Sequence, residues 1–111
     1  MRLFWITTVV VLSVLITSCR KEDIRTVIIH IPEMRNKTCI EVVSNALSKL
    51  YGVEKDKIQF DLASRTVIIT YDSLKLALKN MEFAIAEVGF RANEVPANPE
   101  AVRALPPECT R

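Results

Sequence analysis

Soft, nucleophilic side chains are few in this chain of 111 residues: three cysteines, Cys19, Cys39 and Cys109, and three methionines, of which Met34 stands just ahead of Cys39. Two thiols such as Cys39 and Cys109 can close a disulfide, share one soft metal ion, or stay free beside a reducing partner, and their spacing does not choose among these. Cys39 follows Arg35 and Lys37 and opens a run with helical periodicity. Unpaired N–H groups in a first helical turn and nearby cationic charge both favour a thiolate. The plainer readings are that Cys39 is a small half-buried residue at a helix start and that Met34 fills the core. Asn36 reads as a residue that satisfies loop backbone groups rather than a ligand. His30, the only histidine, lies inside a strand-like run with no partner at ligand spacing, so it reads as a strand histidine.

The elements that must position these residues follow from periodicity. Residues 24 to 31 (IRTVIIHI) are β-branched on both sides of an alternation and suit a central strand, ended by Pro32. Ile40, Val43, Leu47 and Leu50 then recur every three or four residues, which makes one helical face. Thr38 and Glu41 have capping-box spacing, and Gly52 stands where a helix closes. The alternations Ile58, Phe60, Leu62 and Val67, Ile69, Tyr71 predict a hairpin around Ala63, Ser64 and Arg65. Asp72 or Ser73 can cap a second helix with Leu74, Ala77 or Leu78, Met81, Ile85 and Val88 as its stripe. Gly89 closes that helix, and Phe90 to Val95 reads as a last strand. The order strand, helix, strand, strand, helix, strand predicts an α+β ferredoxin-like sandwich: a four-stranded antiparallel sheet with two helices on one face. A Pro-containing tail, 96–111, follows, in which Asn98 and Pro99 predict a short helical turn.

Ahead of this domain, Arg2 precedes the uncharged run LFWITTVVVLSVLITS over residues 3 to 18, the order of a secretory signal. At a rise of ~1.5 Å per residue it extends roughly 24 Å, short of the ~30 Å hydrocarbon core. Ile16-Thr17-Ser18-Cys19 resembles a bacterial lipobox. That resemblance implies removal of residues 1–18, lipidation of Cys19, and attachment to a membrane of the bacterial envelope, facing periplasm or exterior. Residues 19–23 would be a charged tether and 24–95 the folded domain. Asn36-Lys37-Thr38 matches a glycosylation acceptor, which in this context reads as chance.

Within the domain, Met34-Arg35-Asn36-Lys37-Thr38-Cys39 and Gly52-Val53 resemble the heavy-metal-associated domain of copper chaperones, copper-pumping ATPases and periplasmic mercury-binding proteins. Its signature is M-x-C-x-x-C opening a helix that ends near a Gly-Val pair. Ala84-Ile85 and Gly89-Phe90 resemble the family's second-helix ending. Asn36 occupies the first Cys position. The resemblance implies a soft-metal ligand at Cys39, with Met34 beside it, Arg35, Asn36 and Lys37 shaping the loop, and Phe90 packing next to it. Cu(I) and Hg(II) favour two or three soft ligands, so one thiolate needs a second from Cys109, from another copy of the chain in a homodimer, or from a metal-donor or acceptor protein.

A non-enzymatic metal-binding or transfer module, Cu(I) first, is therefore expected. The alternative is a metal-inactive interaction module with a Cys39–Cys109 disulfide. A net charge of +2 provides no nucleic-acid footprint, and Ile28 and Val67 to Ile69 offer no stacking aromatics. The same element order occurs in acylphosphatases, but no Gly-rich cradle precedes the first helix and no base stands near it, which excludes an enzyme of that kind.

Overall fold

The computed structural model describes residues 21–110; the expected leader, 1–18, and the expected lipidation site, Cys19, lie outside the described residues. The elements run β1 (Ile24–His30), α1 (Lys37–Ser48), a short 3-10 turn (Lys55–Lys57), β2 (Gln59–Asp61), β3 (Thr66–Asp72), α2 (Leu78–Glu87), α3 (Pro99–Ala104) and α4 (Pro107–Thr110). β1 and β3 pair antiparallel from Ile24 opposite Asp72 to His30 opposite Thr66, and β2 pairs with the start of β3. Alternation sends Val27, Ile29, Val67, Ile69 and Tyr71 to one face, where Val43 and Leu47 of α1 and Met81 and Ile85 of α2 meet them. Each large side chain fully buried in this cluster contributes roughly 1.5–3 kcal/mol.

The sheet has three strands in the order β1-β3-β2, not the expected four. Phe90 to Val95 does not form a strand. Ala92 and Val95 bridge each other instead, and Asn93, at φ 52, turns the chain back. Left-handed backbone is a conformation that Asn tolerates better than most residues. Asn93 sits at the β1 edge that the missing strand would have lined: its N–H donates to the His30 carbonyl at 2.9 Å and its Oδ1 accepts from the His30 N–H at 2.9 Å. Its amide Nδ2 donates to the buried Glu82 carboxylate at 3.0 Å. Consequently β1 is an edge strand rather than a central one; Ile28, on the sheet face that carries no helix, is 62% exposed.

The second helix starts later than expected. Asp72 organises a turn in place of capping a helix, and Leu74 is exposed while Leu76 is buried. Asp72 Oδ1 accepts from the N–H groups of Asp23 at 3.1 Å and Leu74 at 3.0 Å, and its backbone carbonyl accepts from Lys75 and Leu76. α2 begins at Leu78, with the Asn80 side chain accepting from the Ala77 N–H.

The Asp23 N–H holds the Asp72 carboxyl below the usual carboxylate range; burial opposes this, and the Leu74 N–H and the Lys75 charge reinforce it. A depressed folded-state value contributes stability that is fully present above the ordinary carboxylate pKa and is lost as pH falls through the lowered one. The melting-temperature gap between the native protein and Asp72→Asn should therefore be constant from neutral pH down to about pH 5 and narrow below about pH 4, as followed by circular dichroism. A gap that widens in acid would contradict the assignment.

Candidate functional site

α1 begins at Asn36, not at the Thr38/Glu41 box. Asn36 is extended (φ −150, ψ −179), and its Oδ1 accepts from the Cys39 N–H at 3.1 Å. This satisfies one of the helix's orphan donors, a contribution of about 1 kcal/mol, and makes Cys39 the third helical residue. At that position the side chain faces inward, and Cys39 is fully buried in the cluster that also contains Met34 and Phe90. Arg35 and Lys37 stay exposed. The preceding loop is pinned by the Met34 N–H to the Ile31 carbonyl at 3.1 Å and by Arg65 Nη1 to the Pro32 carbonyl at 2.8 Å.

The second thiol arrives from the tail. Beyond the Asn93 turn, the Asn98 N–H donates to the Ala86 carbonyl at 2.9 Å, and the Asn98 Oδ1 caps α3 by accepting from the Glu100 N–H at 3.0 Å. α3 crosses the end of α2 at Gly89, where a Cβ would stand 3.0 Å from the Ala101 backbone and from Leu105 Cδ1, and where φ is +102. Only glycine meets both conditions. α4 then reaches α1: Asn36 Nδ2 donates to the Glu108 carbonyl at 2.8 Å, and Cys109 forms a disulfide with Cys39 across a sequence separation of 70. Asn36, in the place of the family's first cysteine, thus caps Cys39 on one side and holds the residue before Cys109 on the other.

Cys39, expected as an ionised thiol in the first turn of a helix, is instead sealed in the core and bonded to Cys109, which is 4% exposed. Burial follows from the inward third position of α1 and from the tail lying over it. Met34 and Phe90 are fully buried with it. His30 is exposed at the β1 edge. Among the described residues no three His, Cys, Asp or Glu side chains gather as a metal site. A cleft of about 140 Å³ borders Cys109 together with Glu33, Arg35, Gly89, Val102 and Leu105. A larger hollow of about 380 Å³ around Tyr51, Lys75 and Asp72 shares no residue with it. Sequence reasoning missed the Glu108 carbonyl and the docking role of Gly89. The latter's signal was present in one of only two glycines standing at a helix end.

No family model matches the chain. It is 32% identical over 66 residues to the mercuric transport protein periplasmic component of Salmonella typhi, covering 60% of this chain and 70% of that protein. Among solved structures, the crystal structure of oxidized MerP from Ralstonia metallidurans CH34 superposes with a TM-score of 0.59 at 27% identity, covering 64% of this chain and 96% of that one. The CopZ metallochaperone superposes with a TM-score of 0.57 at 26% identity, covering 61% and 98%. The fold is the ferredoxin-like α+β sandwich of small metal-handling modules. The chain belongs to the heavy-metal-associated domain family.

Two outcomes follow from this geometry. Closing a loop of this length is worth about 4 kcal/mol in the chain-entropy treatment, so reduction, or Cys109→Ser, should lower unfolding stability by about that amount in urea titrations; a change below about 1 kcal/mol would mean the tail is fixed without the bond. Gly89→Ala should displace α3, since the new methyl meets backbone. Thiol counting should then show slower disulfide formation after refolding, whereas Ala101→Gly alone should not slow it.

Proposed function

We propose that this chain is a non-enzymatic module of the bacterial envelope, lipid-anchored through Cys19, that binds a soft metal ion between the reduced thiolates of Cys39 and Cys109 and passes it to a partner protein's thiols. Cu(I) is the first candidate and Hg(II) the second. The carrying observation is the meeting of Cys39 and Cys109, which provides two soft donors where the sequence motif has one. Two thiolates with no third hard ligand suit ions that accept low coordination numbers, and an open shell admits an incoming thiolate for transfer. Met34, in the same buried cluster, is the proposed third and weaker donor. With metal–sulfur bonds of about 2.3 Å, two sulfurs gripping one ion stand up to about 4.6 Å apart. The tail supplies that movement while α1 stays fixed.

The relatives support the reading: the curated ones are named for periplasmic mercuric transport, and a structural neighbour is named as the CopZ metallochaperone. Full burial of Cys39 favours a second reading, in which the disulfide is permanent and the fold serves protein contact alone. Anaerobic titration against a strong competitor separates the two. The reduced protein should take up one Cu(I) or Hg(II) per chain, the oxidised protein none, and Cys39→Ser or Cys109→Ser should weaken binding by about a hundredfold or more, a loss of ~3 kcal/mol. Reduced protein that takes up neither ion, as monomer or dimer, establishes the second reading.

A further inference from the structure

We propose that Cys109 is the entry sulfur of this disulfide, attacked by a thiolate of a dithiol reductant protein that enters the cleft between Glu33, Arg35, Gly89, Val102 and Leu105. The inference deepens the proposed function by naming the partner that converts the closed pair into a metal-ready one, and it rests on that reading for its purpose alone.

Thiol–disulfide exchange requires the attacking sulfur to approach in line with the bond that breaks, from behind the sulfur attacked. The two ends of this disulfide differ in burial and in what borders them. Cys39 is fully buried in the cluster with Met34 and Phe90, so an attacker there would have to pass through the core. Cys109 forms part of the cleft wall and retains a small exposed surface. The cleft offers one apolar side, from Leu105 and the 37% exposed Val102, and one polar side. On the polar side the Glu33 carboxylate is engaged by the Arg91 N–H at 3.1 Å, while the exposed Arg35 has no ion-pair partner among the described residues. That pairing suits a protein thiol set in a short apolar segment better than a bare small molecule.

The step balances without a proton. The reductant's thiolate forms a bond to Cys109 Sγ, the Cys39–Cys109 bond breaks, and its electron pair leaves with Cys39 as a thiolate in the first turn of α1, where the helix terminus favours negative charge. The reductant's second thiol, having lost its proton to solvent, then attacks its own first sulfur and releases Cys109 as a thiolate. Two electrons have passed to the cystine, and the reductant ends as a disulfide. The sulfur carrying the mixed disulfide is the one on the tail, which can move outward without disturbing the sheet or α1.

The test uses the oxidised, metal-free protein, with any free Cys19 alkylated beforehand. A brief pulse of glutathione is quenched with acid, followed by maleimide labelling and peptide mapping. At early times the glutathione adduct should sit on Cys109 and the maleimide on Cys39, with at least about a tenfold bias. An even split, or a bias to Cys39, overturns the proposal. As a second readout, Val102→Trp, which narrows the cleft from an exposed position, should slow reduction by a dithiol protein such as thioredoxin several-fold while leaving the melting temperature of the oxidised protein unchanged. An unchanged reduction rate overturns the route. Neither readout involves metal, so failure here leaves the metal titration standing, and failure of that titration leaves this one readable.

Discussion

The joint between the first turn of α1 and the end of the tail is the constraint around which the rest of the molecule is arranged. It depends on Asn36 acting in two directions, with its Oδ1 on the Cys39 N–H and its Nδ2 on the Glu108 carbonyl. A cysteine at that position would supply a second thiol within the loop but neither of these bonds, since sulfur is a weak donor and a weak acceptor. The exchange of Cys for Asn thus removes a local donor and creates the bracket that places a remote one. Placing that donor is costly in conformational entropy, because the chain from α1 to Cys109 must be ordered. The cost is offset along the way by the core that those same residues build.

The incomplete sheet belongs to the same arrangement. β1 runs toward the loop that carries Met34 and Cys39, so a fourth strand lying antiparallel to it would carry the chain away from the site. The reversal between Ala92 and Val95 prevents this, and the Asn98 N–H then reaches the Ala86 carbonyl beside the end of α2. Three hydrogen bonds of one side chain and its backbone, to His30 and Glu82, hold the reversal in a left-handed conformation. The β1 edge left open is a consequence of directing the tail back to α1.

Much of the architecture was legible because it is written in periodicity. The β1 and β3 alternations, the α1 face of Val43 and Leu47, the Met81 and Ile85 stripe, and the Asn98–Pro99 helix start are local patterns, each satisfied by its own few residues. The errors arose where a residue type serves two local purposes. Asp72 has the chemistry of a helix cap, and it is used to gather the N–H groups of Asp23 and Leu74 across a turn, the first of them from far away in sequence. Thr38 with Glu41 has capping-box spacing, but Asn36 is already extended and accepts first. Phe90 to Val95 has strand composition, and its fate is decided by Asn93 finding His30, a contact no window of neighbouring residues contains. The site was half legible: its two thiols were named and their disulfide stood as the alternative reading, but spacing alone left three outcomes open to them.

Splitting a dithiol between a helix start and a tail changes what the pair can do. When both thiols lie in one loop, any rearrangement of the pair deforms that loop and the helix it opens. Here Cys39 is fixed by α1 and the core around it, while Cys109 rides on two short helices joined to the body through the Gly89 crossing, the Asn98–Ala86 bond and the Asn36–Glu108 bond. These contacts keep the second sulfur near the first after the covalent bond is gone, so the pair remains effectively intramolecular. Of these contacts the Asn36–Glu108 bond lies at the surface, while the Gly89 crossing and the Asn98–Ala86 bond are made at buried residues of the body. The division gives one sulfur held rigidly and one that can yield, and local opening of a segment with few buried side chains costs far less than global unfolding. Sealing of Cys39 therefore has two sources, the inward third position of α1 within the core and the tail lying over it, and only the second can be withdrawn while the sandwich stays intact.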